Sequence, residues 1–123
     1  MMLQPTEVVP KWVLNVLNNL SDIERKINLN GDPANIKRNV ERIKEIFEDE
    51  KIFFENPLGE KFAETRTDLE ASITGEGTEN LYVVEVIKPI VRIGDKSFSR
   101  VVQKGIVIVQ SKEADLSKGA ENV

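Results

Sequence analysis

The chain has 123 residues, of which 17 are basic and 21 acidic, so its net charge of -4 offers no general field for nucleic acid or an anionic membrane. Histidine and cysteine are both absent, which excludes Ser-His-Asp and Cys-His catalysis, imidazole or thiolate metal sites and any disulfide framework. A chain of this length is expected to form about one domain with one modest core.

Met1-Met2-Leu3-Gln4-Pro5 lacks the basic start and apolar core of a signal peptide. No apolar run approaches the ~20 residues of a membrane span. The expectation is therefore a cytoplasmic protein without cofactor, metal, nucleic acid or membrane partner, with residues 1–9 flexible.

From Pro10 the pattern turns helical. Trp12, Val16, Leu20, Ile23 and Ile27 recur at spacings of four, four, three and four, and Val13 and Leu17 widen the stripe. Pro10 suits the first turn, and Leu29-Asn30-Gly31 ends the helix. Asp32 then reads as an N-cap with Pro33 at the first helical position, followed by Ile36, Val40, Ile43 and Phe47, with Ile46 beside them.

Two helices joined by a short loop should lie antiparallel. Each stripe is broader than one partner of this size covers. One solution is a homodimer whose two hairpins make a four-helix bundle, with Trp12, Val16, Leu20, Ile23, Ile36, Val40, Ile43 and Phe47 at the interface. The other is packing of the stripes on the chain's own sheet.

Ile52-Phe53-Phe54 is apolar without helical rhythm, and Asn56-Pro57-Leu58-Gly59 reads as a hinge. Leu69-Glu70-Ala71-Ser72-Ile73-Thr74 is a candidate strand ended by Gly75-Glu76-Gly77. Residues 81–109 are dense in β-branched side chains around a Gly94-Asp95 turn, which predicts two strands folding back on each other, with an edge or break at Pro89. The expected class is α+β: a helical hairpin over residues 10–54, a small all-β domain over 55–110, and a disordered tail over 111–123.

Chemistry-bearing motifs are sparse. Glu60, Glu64, Asp68 and Glu70 lie near one another, and Glu76 and Glu79 flank Gly77, but none sits in a recognisable acid/base motif, and most such charges are solvated. Lys88, Arg92, Lys96, Arg100 and Lys104 recur around the β ribbon. They read either as protection of exposed strands or as a patch that meets an acidic partner, with Lys88 and Arg92 sharing one strand face with Ile90.

The order of these features resembles the GrpE family of nucleotide exchange factors. Residues 13–25, from Val13-Leu14-Asn15-Val16-Leu17 to Ile23-Glu24-Arg25, are similar to the family's first bundle helix, and Ile36 through Phe47 to its second. Pro57-Leu58-Gly59-Glu60-Lys61-Phe62 resembles the family's entry to its β domain, and Glu70-Ala71 stands where the family has His-Glu-Ala. Val83-Val84-Glu85-Val86-Ile87 and Gly105-Ile106-Val107-Ile108-Val109 resemble two of its strands. Leu69 takes the place of the family's His, Gln103 that of an Arg, and the family's long N-terminal helix has no counterpart before Pro10.

The resemblance implies a non-enzymatic, homodimeric cochaperone whose β domain docks on the nucleotide-binding domain of a DnaK-type chaperone. Opening that cleft lets ADP leave, which is differential binding to an open state rather than bond chemistry. It implies Lys88, Arg92, Lys96 and Arg100 as chaperone-facing residues, with Val91 and Phe98 as apolar contacts. The alternative expectation is a GrpE-like dimeric scaffold or regulator that binds a different protein partner.

Overall fold

A computed structural model describes residues 9–112. The expected flexibility of residues 1–8 and disorder of residues 113–123 fall outside the described residues. Val9, placed with the flexible start by the sequence, is instead buried in a hydrophobic core, and Ser111, placed with the tail, ends a strand.

The fold is α+β. Its elements are α1 (Lys11–Asn30), α2 (Lys37–Asp49), β1 (Ile52–Glu55), β2 (Leu69–Thr74), β3 (Leu81–Lys88), β4 (Ile90–Gly94), β5 (Ser99–Gln103) and β6 (Gly105–Ser111). The strands form two three-stranded sheets, ordered β1-β4-β5 and β2-β6-β3. The described chain divides into two compact units. One holds everything up to Glu55 together with Val91–Gln103; the other holds Asn56–Ile90 and the chain from Lys104 on.

The sequence predicted one β ribbon of two long strands. The break expected at Pro89 is present, the returning arm also breaks at Lys104, and the halves pair in different sheets rather than one: β3 with β6, and β4 with β5. Proline supplies no ladder donor, which accounts for the interruption on the first arm. Lys88 and Arg92 therefore lie on different strands, not on one face of a shared strand as expected. Ile52-Phe53-Phe54, read as part of the approach to a hinge, forms β1, the third strand of the helical unit's sheet.

In the helical unit, α1 begins where the sequence predicted. The Pro10 carbonyl accepts the Val13 N–H at 3.0 Å, and Gly31, at φ +86°, ends the helix by donating to the Ile27 carbonyl at 2.8 Å. The second helix starts one turn later than expected. Asp32 does accept hydrogen bonds, from the Ile36 and Lys37 N–H groups at 2.8 and 2.9 Å, but Asn35 adopts the left-handed conformation at φ +58° and delays regular winding to Lys37.

One side of each helix is covered within the chain. Val13, Leu17, Leu20 and Ile27 of α1 and Val40 of α2 form a core with Val9, Phe54 and Val91, and Leu14, Phe47, Ile52, Ile93 and Val102 pack around it. The Lys44 Nζ donates to Glu24 Oε2 at 2.9 Å between the helices, and lies 5.1 Å over the Phe54 ring. Charge and packing thus fix the same contact.

In the second unit β6 is central, parallel to β2 and antiparallel to β3. Its alternation is strict: Gly105, Val107, Val109 and Ser111 are buried, and the residues between them are half-buried. The Ser111 hydroxyl donates to the Glu79 carbonyl at 2.7 Å, which satisfies a buried polar group at the strand's end. Residues 59–62 run along the start of β3: the Gly59 and Phe62 N–H groups donate to the Val83 and Leu81 carbonyls, and the Val83 N–H donates to the Glu60 carbonyl.

Candidate partner-binding surfaces

After the helices have covered one side, a second apolar side remains. Trp12 is 63% exposed, and Val16, Ile23, Ile36, Ile43 and Ile46 are exposed as well. Trp12, Val16 and Ile23 follow one another at four and seven residues on α1, and Ile36 and Ile43 are seven apart at and beyond the start of α2, so each set repeats along one face. Of the eight residues that the sequence set at a dimer interface, Leu20 and Val40 are buried and Phe47 is half-buried against the chain's own core. Trp12, Val16, Ile23, Ile36 and Ile43 are the ones left uncovered. The breadth of the stripes, which periodicity could not apportion, is thus part buried in the chain's own core and part exposed.

The second surface is the tip of the β4-β5 hairpin. Gly94 has φ +130°, and a Cβ there would press on the Phe98 carbonyl oxygen and come within 2.8 Å of Ser99 Cα, so only glycine fits. Asp95 follows, and its Oδ1 accepts three hydrogen bonds, from the Ser97 hydroxyl at 2.8 Å, the Phe98 N–H at 2.8 Å and the Ser97 N–H at 3.0 Å. These bonds, the Ser97 hydroxyl foremost, hold the Asp95 carboxyl below the ordinary aspartate value of 3.8. The closed turn leaves Phe98 85% exposed, with Lys96 and Arg100 exposed on either side of it in sequence.

The hairpin is tied into the helical unit. The Gly94 N–H donates to the Lys51 carbonyl at 2.8 Å, Arg92 Nε donates to Glu55 Oε1 at 2.8 Å, and Gln103 Nε2 donates to Asn18 Oδ1 at 2.9 Å. Lys96 Nζ is 3.6 Å from Glu48 Oε2 and 5.1 Å over the Phe53 ring. Its ammonium keeps most of its exposure, so the ion pair contributes little by itself.

The six expected chaperone-facing residues separate on this geometry. Lys96, Phe98 and Arg100 lie on the tip, and Arg92 lies lower on β4, engaged with Glu55. Lys88 is exposed but belongs to the other unit. Val91 corrects an expectation: it is fully buried in the core of the helical unit and presents no surface, because it points to the inner face of β4.

Two features escaped the sequence. Asn35, just ahead of α2, and Arg38, Asn39 and Arg42 of α2 line an open cleft of about 180 Å³, which the spacing of four between like residues could have suggested. Among the carboxylates weighed as acid/base candidates, Glu60 and Asp68 both converge on Arg66. Its guanidinium donates to Asp68 at 2.9 and 3.0 Å and to Glu60 at 3.0 Å, and the Asp68 bond raises its already high pKa. No group of three or more acidic side chains able to hold a metal ion occurs among the described residues. No helix among them is long and apolar enough to cross a membrane.

Comparison with protein-family models, curated proteins and solved structures finds no match to this chain.

Proposed function

We propose that the chain is a GrpE-like cochaperone, a homodimer that docks on the nucleotide-binding domain of a DnaK-type chaperone and promotes ADP release. The observation that carries the reading is a division of labour in one chain. Helices with a spare apolar side suited to a second copy are joined to a hydrogen-bonded hairpin whose tip offers one aromatic and two cationic side chains.

In this reading Trp12, Val16, Ile23, Ile36 and Ile43 meet their counterparts in a four-helix bundle. Lys96, Phe98 and Arg100 face the chaperone, and Arg92 supports them from β4. Promotion of release requires only that the open form of the chaperone be bound better than the closed one, so no catalytic residue is needed. The protein acts in the cytoplasm beside its chaperone.

A second reading has a specific observation behind it. Gln103 stands where the family has an Arg, and its side chain is engaged with Asn18 inside the helical unit. A GrpE-like dimeric scaffold that binds a different partner is the reading this favours. The deciding experiment is the rate of labelled-ADP release from a DnaK-type chaperone of the same organism, with and without the protein. Acceleration supports exchange; a folded dimer that leaves the rate unchanged shifts the assignment to the scaffold.

A further inference from the structure

The tip of the β4-β5 hairpin combines three properties that seldom coincide by accident. Phe98 is the most exposed of the large hydrophobic side chains described, at a site where exposure has a cost in water and no gain in folding. The backbone beneath it is closed from both sides: the Asp95 N–H donates to the Phe98 carbonyl at 3.1 Å, and the Phe98 N–H is shared between the Asp95 carbonyl at 3.3 Å and Oδ1 at 2.8 Å. The flanks are cationic, in a chain whose net charge is -4.

We propose that this tip is a preformed anchor. Phe98 enters an apolar socket on the partner, Lys96 and Arg100 meet carboxylates at the rim of that socket, and Asp95 is the positioning residue that holds the turn in its bound shape before contact. The proposal rests on the reading above, that the partner is a DnaK-type chaperone, and adds the chemistry of the surface it must offer.

Charge selects the occupant. Cations around a lone aromatic match an acidic rim, whereas the chain's overall acidity disfavours an anionic bilayer. One aromatic per chain is also too little area to hold a second copy. A desolvated aromatic anchor near the centre of the contact, ringed by groups that exclude water, is the usual composition of an interface hot spot. Holding it in place beforehand saves the ordering cost that a mobile loop incurs on binding.

The test measures affinity for the nucleotide-free chaperone, and ADP release, for the wild type and five variants, with thermal midpoints as a folding control. Phe98→Ser is expected to weaken binding about 30-fold or more at unchanged thermal midpoint. Asp95→Ala is expected to weaken it about 3- to 10-fold, and Asp95→Asn, which keeps the Oδ1 acceptor, to restore most of that loss. Lys96→Ala and Arg100→Ala are expected to flatten the salt dependence of the association rate, which Phe98→Ser leaves steep.

A wild type that binds and accelerates release while Phe98→Ser binds equally well overturns the anchor and leaves the exchange reading standing. A wild type that neither binds nor accelerates removes the exchange reading, and the anchor with it. If Phe98→Ser changes the sedimentation of the chain and not its affinity for the chaperone, the tip belongs to a self-contact and the proposal is overturned.

Discussion

Replacing Val16 and Ile23 together by Asp separates the two apolar sides of α1. Both side chains are 37% exposed and stand outside the buried core formed by Val13, Leu17, Leu20 and Ile27. Full burial of an aliphatic side chain stabilises by about 1.5–3 kcal/mol, so covering the remaining third or so gives about 0.6–1 kcal/mol each. A two-fold interface contains each residue twice, which brings the lost contribution to about 2–4 kcal/mol, and four carboxylates facing apolar surface add a desolvation cost of the same sign. The proposed dimer should therefore weaken by at least about 30- to 1000-fold. Helix content should fall little, because Asp on an exposed helical position costs only about 0.7 kcal/mol or less. Sedimentation velocity at micromolar concentration, with far-ultraviolet circular dichroism as the fold control, reads both quantities. A folded double variant that still sediments as a dimer, or a wild type that sediments as a monomer, refutes the assignment of this side to a second copy.

Leu17→Ala probes the opposite side of the same helix. Leu17 is fully buried, beside Lys44, Phe47, Phe53 and Phe54, and its truncation should cost about 3–5 kcal/mol in urea unfolding; a loss below about 1 kcal/mol would show that this core repacks freely. Gly105→Ala should cost about 1–3 kcal/mol, since the new methyl would lie 2.8 Å from Leu69 Cδ2 and 2.9 Å from Ile90 Cγ1. A neutral result in the same titration would mean that Leu69 and Ile90 move aside. The Asp95 carboxyl is held below 3.8 by its three donors, so its support of the turn is complete above that value and fades as pH falls through the lower folded-state pKa. With no histidine in the chain, amide exchange at Ser97 and Phe98, corrected for its intrinsic pH dependence, should report the same opening free energy from pH 7.5 down to about pH 5. Loss of protection within that range would show that another group controls the turn.

Much of the architecture could be read along the chain because it depends on local chemistry. Pro10 and Gly31 bound α1, the Asp32 carboxylate caps the start of α2, and Leu69 to Thr74 forms a strand, each through contacts within a few residues or through periodicity. The acidic balance and the absence of histidine and cysteine are properties of composition alone. Which of two adjacent apolar residues on a wide stripe is covered depends on long-range packing. Leu20 and Val40 went to the core of their own chain, and Trp12 and Ile36 stayed outside. Val91 and Arg92 are neighbours in one strand, yet the sheet buries the first and pairs the second with Glu55, 37 positions away. The break of the long ribbon at Pro89 could be suspected from the sequence. That its outer half joins β1 and the helices rather than β2 follows only once Gly94, Arg92 and Gln103 find Lys51, Glu55 and Asn18. Periodicity determines that a residue is apolar and on which face it falls, whereas the choice among surfaces competing to cover it is made by the assembled tertiary structure.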